Sequence, residues 1–185
     1  MQRLALVTAT ALCLALPAQA DEVEETLAAA LEAYRAGDLS ETAEELAYAQ
    51  GLLQEMRAAG LSVFLPAAPA GWTREIDTEM SAGMGMMGGG SGAEASYSNG
   101  SENFSITLMA DNPMVAGLAG SLGALGMLGG GQRLRINGAR FIDQDGDLMA
   151  IVDDRILVQA GGAARDLMIP VLESMDFDAL SGFGR

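Results

Sequence analysis

Apolar residues recur at helical spacing through the first third of the chain and at alternating spacing through most of the rest. Leu27, Leu31 and Tyr34 stand at i, i+4 and i+7, the repeat of one face of an α-helix. Gly37 is a natural stop. Asp38 followed three residues later by Glu41 is a capping-box arrangement that starts a second helix. That helix places Ala43, Leu46, Leu53 and Met56 on its apolar side, carries Glu41, Glu44 and Glu45 in its first turns, where the helix dipole favours acids, and ends at Gly60. The pattern predicts a helical hairpin over residues 21–60.

LPAAPAG at 65–71 is a proline- and alanine-rich turn, and Trp72 opens a β region. Asn99-Gly100, Asn137-Gly138, Asp145-Gly146 and Asp153-Asp154 are turn signals placed between apolar runs. Phe104, Ile106 and Leu108 alternate with Ser105, Thr107 and Met109, and Leu134 and Ile136 with Arg133 and Arg135. LMAIV and ILVQA are continuous, as central strands are. About seven strands in an antiparallel meander are expected, interrupted once. The interruption, residues 113–131, has no charge and reads as a helix amphipathic by size. Lying buried on the sheet or spanning a bilayer both fit it. The tail, RDLMIPVLESMDFDAL, predicts a last helix broken or begun near Pro170 and packed through Leu167, Val171, Leu172 and Met175. The expected fold is therefore α+β: an antiparallel sheet flanked by helices over 65–182, after the hairpin.

The N-terminus changes the cellular picture. Arg3, the apolar run Leu4–Leu16 and Ala18-Gln19-Ala20 have the three parts of a cleavable secretory signal, residues 1–20. Cys13 sits inside the apolar run with Leu12 before it, which does not fit lipid attachment. Cleavage after Ala20 leaves 165 of the 185 residues, exported to the periplasm with no stable membrane span. Loss of Arg3 takes the net charge from -15 to -16. Such a chain repels nucleic acid and anionic lipid at long range and attracts basic partners or cations. The exported part has no His, Cys or Lys. Ser-His-Asp triads, thiol nucleophiles, Schiff-base lysines and the usual zinc sites are thereby excluded. Carboxylate-pair chemistry remains open, although no spacing singles out a pair.

Two resemblances attach to these residues. Ala30, Tyr34, Gly37, Asp38, Ala43 and Ala49 match positions of a single tetratricopeptide-type repeat. One such repeat cannot bury its own face, so it either docks on its own domain or binds a partner. Leu65, Pro66, Pro69, Gly71 and Trp72 form an LP-x-x-P-x-GW opening, and the final helix ends in VLESMDF. With the strand order between them, residues 65–180 resemble the PsbP-like α/β sandwich of exported bacterial proteins, and a group of uncharacterised proteobacterial periplasmic proteins. The resemblance implies a fold; it implies no active site.

Three segments carry candidate chemistry. Met80, Met84, Met86 and Met87 crowd a glycine-rich loop. Thioethers suit Cu(I), and methionine also serves as adaptable apolar cover. Asp143, Asp145 and Asp147 begin like a calcium loop, with Asp154 at position 12. However, Leu148 occupies the position where that loop needs glycine for its sharp turn, and a strand follows at once; an acidic hairpin tip fits the same residues. Arg133 and Arg135 share a strand face with Arg140 just past the turn, as an anion site or as an offset to surface acidity. The sequence thus points to a non-enzymatic periplasmic accessory or protein-binding protein with an unidentified protein partner and no cofactor. A Cu(I)-binding protein using the methionine loop is the alternative.

Overall fold

The computed structural model describes residues 17–81, 89–118, 120 and 131–185. Most of the signal segment, and Met84, Met86 and Met87, lie outside the described residues. The chain divides into two compact units, residues 1–52 and 53–185.

In the first unit, helix α1 (Pro17–Ala36) is followed by helix α2 (Leu39–Ser62), which continues into the second unit. Gly37 adopts φ 82°, and the N–H groups of Gly37 and Asp38 donate to the carbonyls of Tyr34 and Ala33. Asp38 Oδ1 accepts from the N–H groups of Ser40 and Glu41, both at 3.1 Å. Stop and start are thus built from adjacent residues, which forces the chain to reverse. The second helix ends two residues beyond Gly60, at Ser62. The two helices meet through small residues: Val23, Thr26, Ala30 and Ala33 of α1 are buried, as are Ala49 and Leu52 of α2. Tyr48 donates a 2.6 Å hydrogen bond to Glu22 across the pair.

The second unit contains one seven-stranded antiparallel sheet. Its strands are β1 (Thr73–Asp77), β2 (Ser91–Ser98), β3 (Asn103–Ala110), β4 (Gln132–Ile136), β5 (Ala139–Gln144), β6 (Asp147–Val152) and β7 (Ile156–Gly161). The order across the sheet is β1-β2-β3-β7-β6-β5-β4. The chain meanders inward from one edge, crosses to the opposite edge between β3 and β4, and meanders back to the centre. Asn99-Gly100, Asn137-Gly138, Asp145-Gly146 and Asp153-Asp154 are the turns of that path. Asn137, Asp145, Asp153, Asp154 and the three glycines all have positive φ, as tight hairpins of right-handed twist require. The calcium-loop reading therefore fails: residues 143–154 form two hairpin turns with strand β6 between them, and Asp143 Oδ1 accepts from Gly146 N–H inside the first.

One face of the sheet is apolar. Ala93, Ala95 and Tyr97 of β2, Phe104, Ile106 and Leu108 of β3, and Val158 and Ala160 of β7 are buried on it. Helix α3 (Arg165–Leu172) and helix α4 (Phe177–Ser181) cover it through Met168, Val171, Leu172, Phe177 and Leu180, joined by Leu61 and Leu65. Leu167, expected in this core, is exposed. Pro170 lies inside α3 rather than at its boundary. The uncharged segment begins as a helix over 113–118 with Val115 buried; its remainder is largely outside the described residues. Among the described residues, no helix is long and apolar enough to cross a membrane.

Candidate functional site

The hairpin presents its larger apolar residues outward. Leu27, Leu31 and Tyr34 are 44%, 48% and 63% exposed, and Leu39 and Leu46 of α2 are exposed as well. This corrects the expectation that the Leu27–Leu31–Tyr34 repeat and Leu46 face inward. At about 100° per residue, that repeat lies roughly a quarter turn from the buried Val23–Ala30–Ala33 stripe. Leu39 and Leu46 lie a similar rotation, in the same sense, from the buried Ala49 and Leu52. In two antiparallel helices that face each other, equal rotations in the same sense bring both rows onto one side. The hairpin thus offers a continuous apolar face of five large side chains. Around it, Asp21–Leu52 carries nine carboxylates against the single Arg35.

The sheet face away from α3 and α4 is polarised by charge. At one edge, Asp77 of β1 stands directly opposite Glu94 of β2, with Glu75 on the same face. At the other edge, Arg135 of β4 stands directly opposite Arg140 of β5, with Arg133 beside it. Glu94 accepts a 2.8 Å hydrogen bond from Thr107. An open groove of about 900 Å³ runs over the β1–β3 part of this face and includes Glu75, Glu94, Glu102, Ser96, Ser98 and Ser105. Among the described residues, no three His, Cys, Asp or Glu side chains could hold a metal ion together.

Of the methionine cluster, Met80 is described: it is half-buried in a helical turn after β1. The base of its loop is built firmly. Ser81 Oγ accepts from Gly92 N–H at 2.7 Å and donates to the Gly92 carbonyl at 2.8 Å, so one buried hydroxyl does the work of a strand residue where β1 has ended. On the far side of the loop, Asn112 Nδ2 donates to the Gly89 carbonyl at 2.6 Å, and Asn112 Oδ1 accepts from Met114 N–H at 2.9 Å. Nothing in sequence spacing pointed to Ser81 or Asn112.

A second cluster ties down the C-terminus. Asp111 receives Arg57 at 2.5 Å and Arg155 at 2.8 Å. Arg155 also pairs with Asp153 at 3.2 Å and donates to the Phe183 carbonyl, while Arg185 reaches Asp153. The hydrogen bond from Arg185, joined by that from Arg155, holds the Asp153 carboxyl below its ordinary range. Asp111 likewise raises Arg155. These ion pairs and hydrogen bonds link the end of β3, the β6–β7 turn and the C-terminus.

Comparison with family profiles, curated proteins and solved structures finds no match to this chain.

Proposed function

We propose that this is an exported, non-enzymatic accessory protein that works by binding another protein, and that the apolar face of the hairpin is where the partner docks. The supporting observation is the row Leu27, Leu31 and Tyr34, held outward beside Leu39 and Leu46 while alanines fill the helix–helix contact. Large side chains kept in water at helical spacing mark interaction sites. The surrounding carboxylates select a partner whose docking surface is apolar with a basic rim, and they disfavour a second hairpin of the same charge. Export rests on the signal-like residues 1–20, and the PsbP-like assignment of 65–180 on the LP-x-x-P-x-GW opening and the VLESMDF tail.

The test is capture from a periplasmic extract with the exported protein as bait, beside Leu31→Ser/Tyr34→Ser. A protein retained by the wild type and lost by the double variant supports the reading. Equal capture by both contradicts it. The copper alternative rests on Met80, Met84, Met86 and Met87 in the sequence.

A further inference from the structure

Two Asn-Gly dipeptides sit at hairpin tips, Asn99-Gly100 between β2 and β3 and Asn137-Gly138 between β4 and β5. All four residues are exposed. Glycine after asparagine leaves its backbone nitrogen unshielded by a side chain, free to attack the asparagine Cγ. The fold anchors the two asparagines by opposite ends of the side-chain amide. Asn137 Nδ2 donates a 2.7 Å hydrogen bond to the Met175 carbonyl. Asn99 is held by its oxygen instead. Oδ1 accepts from the Ser101 N–H and the Ser101 hydroxyl, both at 3.0 Å, and from the Glu102 N–H at 2.8 Å. Among the described residues, nothing holds Asn99 Nδ2.

When a backbone nitrogen attacks the side-chain amide, negative charge develops on Oδ1 and Nδ2 is the group expelled. At Asn99, three donors surround the oxygen that takes the charge, as in an oxyanion hole, and the leaving nitrogen is open to water. At Asn137, the nitrogen that must leave is tied to Met175. The backbone differs in the same direction. Asn137 and Gly138 form a two-residue turn clamped by the Ile136–Ala139 pair, with Asn137 at φ 40°. Asn99 opens a longer connection beyond the Ser98–Asn103 pair, which leaves more room for ring closure.

We infer that Asn99 is a site of spontaneous covalent modification, converted through a succinimide to aspartate and isoaspartate, and that the fold spares Asn137. The Gly100 N–H, hydrogen-bonded to Ser98 Oγ at 3.2 Å, gives its proton to solvent base, and the nitrogen forms a bond to Asn99 Cγ. The Cγ–Nδ2 bond breaks, and Nδ2 takes a proton from water and leaves as ammonia. Water then opens the cyclic imide. Attack at the side-chain carbonyl gives aspartate, and attack at the main-chain carbonyl gives isoaspartate. Neither step needs an oxidant or a cofactor. In the aspartate product the new carboxylate meets the Ser101 and Glu102 N–H groups and the Ser101 hydroxyl already in place, and such bonds strengthen when the acceptor is charged. The turn is therefore kept, with one more negative charge beside Glu102.

Ageing the purified protein in mildly alkaline buffer tests this, with peptide mass spectrometry and enzymatic isoaspartate labelling as the readouts. In the folded protein Asn99 is expected to lose its amide roughly tenfold faster than Asn137. In concentrated urea the two sites are expected to react at similar rates, because the dipeptide is the same and only the fold distinguishes them. Ser101→Ala removes one donor to Oδ1 and leaves the Asn-Gly dipeptide intact. That variant, shown by circular dichroism to be folded, is expected to slow Asn99 severalfold and leave Asn137 unchanged. An Asn99 amide that persists, equal rates at the two sites of the folded protein, or faster loss at Asn137 overturns the inference. So does a Ser101→Ala protein that ages at Asn99 as fast as the wild type, or a preference for Asn99 that survives in urea.

Discussion

The Tyr97 hydroxyl donates a 2.7 Å hydrogen bond to the carbonyl of Pro66, thirty-one residues earlier in the chain. Arg74 Nη1 donates to the same carbonyl at 2.8 Å and to that of Leu65 at 2.9 Å. The Tyr97 ring stacks on Phe104 at 4.7 Å, and Phe104 meets Trp72 edge-on at 5.2 Å. The LP-x-x-P-x-GW opening is therefore a clasp that fastens the segment before β1 to the sheet, and its aromatic and proline residues serve the fold.

Burial pushes the Tyr97 hydroxyl up to about 12, against a nearby arginine that pulls the other way. Its folded value lies above its unfolded one, so this contribution to stability is complete below about pH 10 and is lost as pH rises through about 12. A spectroscopic titration is expected to show one tyrosine ionising near pH 12, absent from Tyr97→Phe. At neutral pH the same substitution is expected to cost about 1 kcal/mol in urea unfolding, the worth of one hydrogen bond, because Arg74 still satisfies the Pro66 carbonyl.

Gly90 and Gly100 both have positive φ, 110° and 90°, but only one is crowded. A Cβ on Gly90 stands 2.8 Å from the Ala110 carbonyl and 2.9 Å from Asn112, whereas Gly100 has nothing within 4 Å. Alanine at Gly100 is expected to cost about 1 kcal/mol from backbone strain. Alanine at Gly90 is expected to cost clearly more, since the backbone at the methionine-loop base must move. Comparing the two unfolding midpoints checks the difference.

Asp153 is held below its ordinary pKa chiefly by its hydrogen bond from Arg185. A lowered folded value means the contribution is present above the unfolded carboxylate pKa and is lost as pH falls through the folded one. Removing the last residue is expected to move the Asp153 titration upward in carboxyl-carbon NMR. An unmoved titration contradicts the role of Arg185.

Much of the sheet was legible because its signals are local. Asn-Gly and Asp-Gly turns and the alternation of Phe104, Ile106 and Leu108 act within a few residues. The β3–β7 pairing at the centre joins segments about fifty residues apart, and no local pattern marks it. The hairpin misled for a different reason. Val23, Ala30 and Ala33 and Leu27, Leu31 and Tyr34 both keep helical spacing, and size suggested the larger set as the core. Val23, Ala30 and Ala33 are the buried set, and the leucines stay outside. The charge-polarised face was half visible: Arg133 and Arg135 share a strand side by spacing alone, but Asp77 and Glu94 face each other only through the register.

Soft-metal binding by the methionine loop is open to direct measurement. If the loop is an apolar cover, the triple change Met84→Leu, Met86→Leu and Met87→Leu conserves volume and is expected to keep stability within about 1.5 kcal/mol, and the wild type holds no Cu(I) in a competition titration. Stoichiometric Cu(I) bound by the wild type and lost by the triple variant moves the protein to the copper-handling class.

The most direct measurement is site-specific photocrosslinking in living cells. A photoreactive phenylalanine analogue replaces Leu31 on the hairpin face, with Asp145 at an exposed β-turn as the control position. Partner docking on the hairpin produces a discrete adduct with another protein from position 31 and none from position 145. Adducts from both positions alike, or from position 31 only within the same chain, contradict the account.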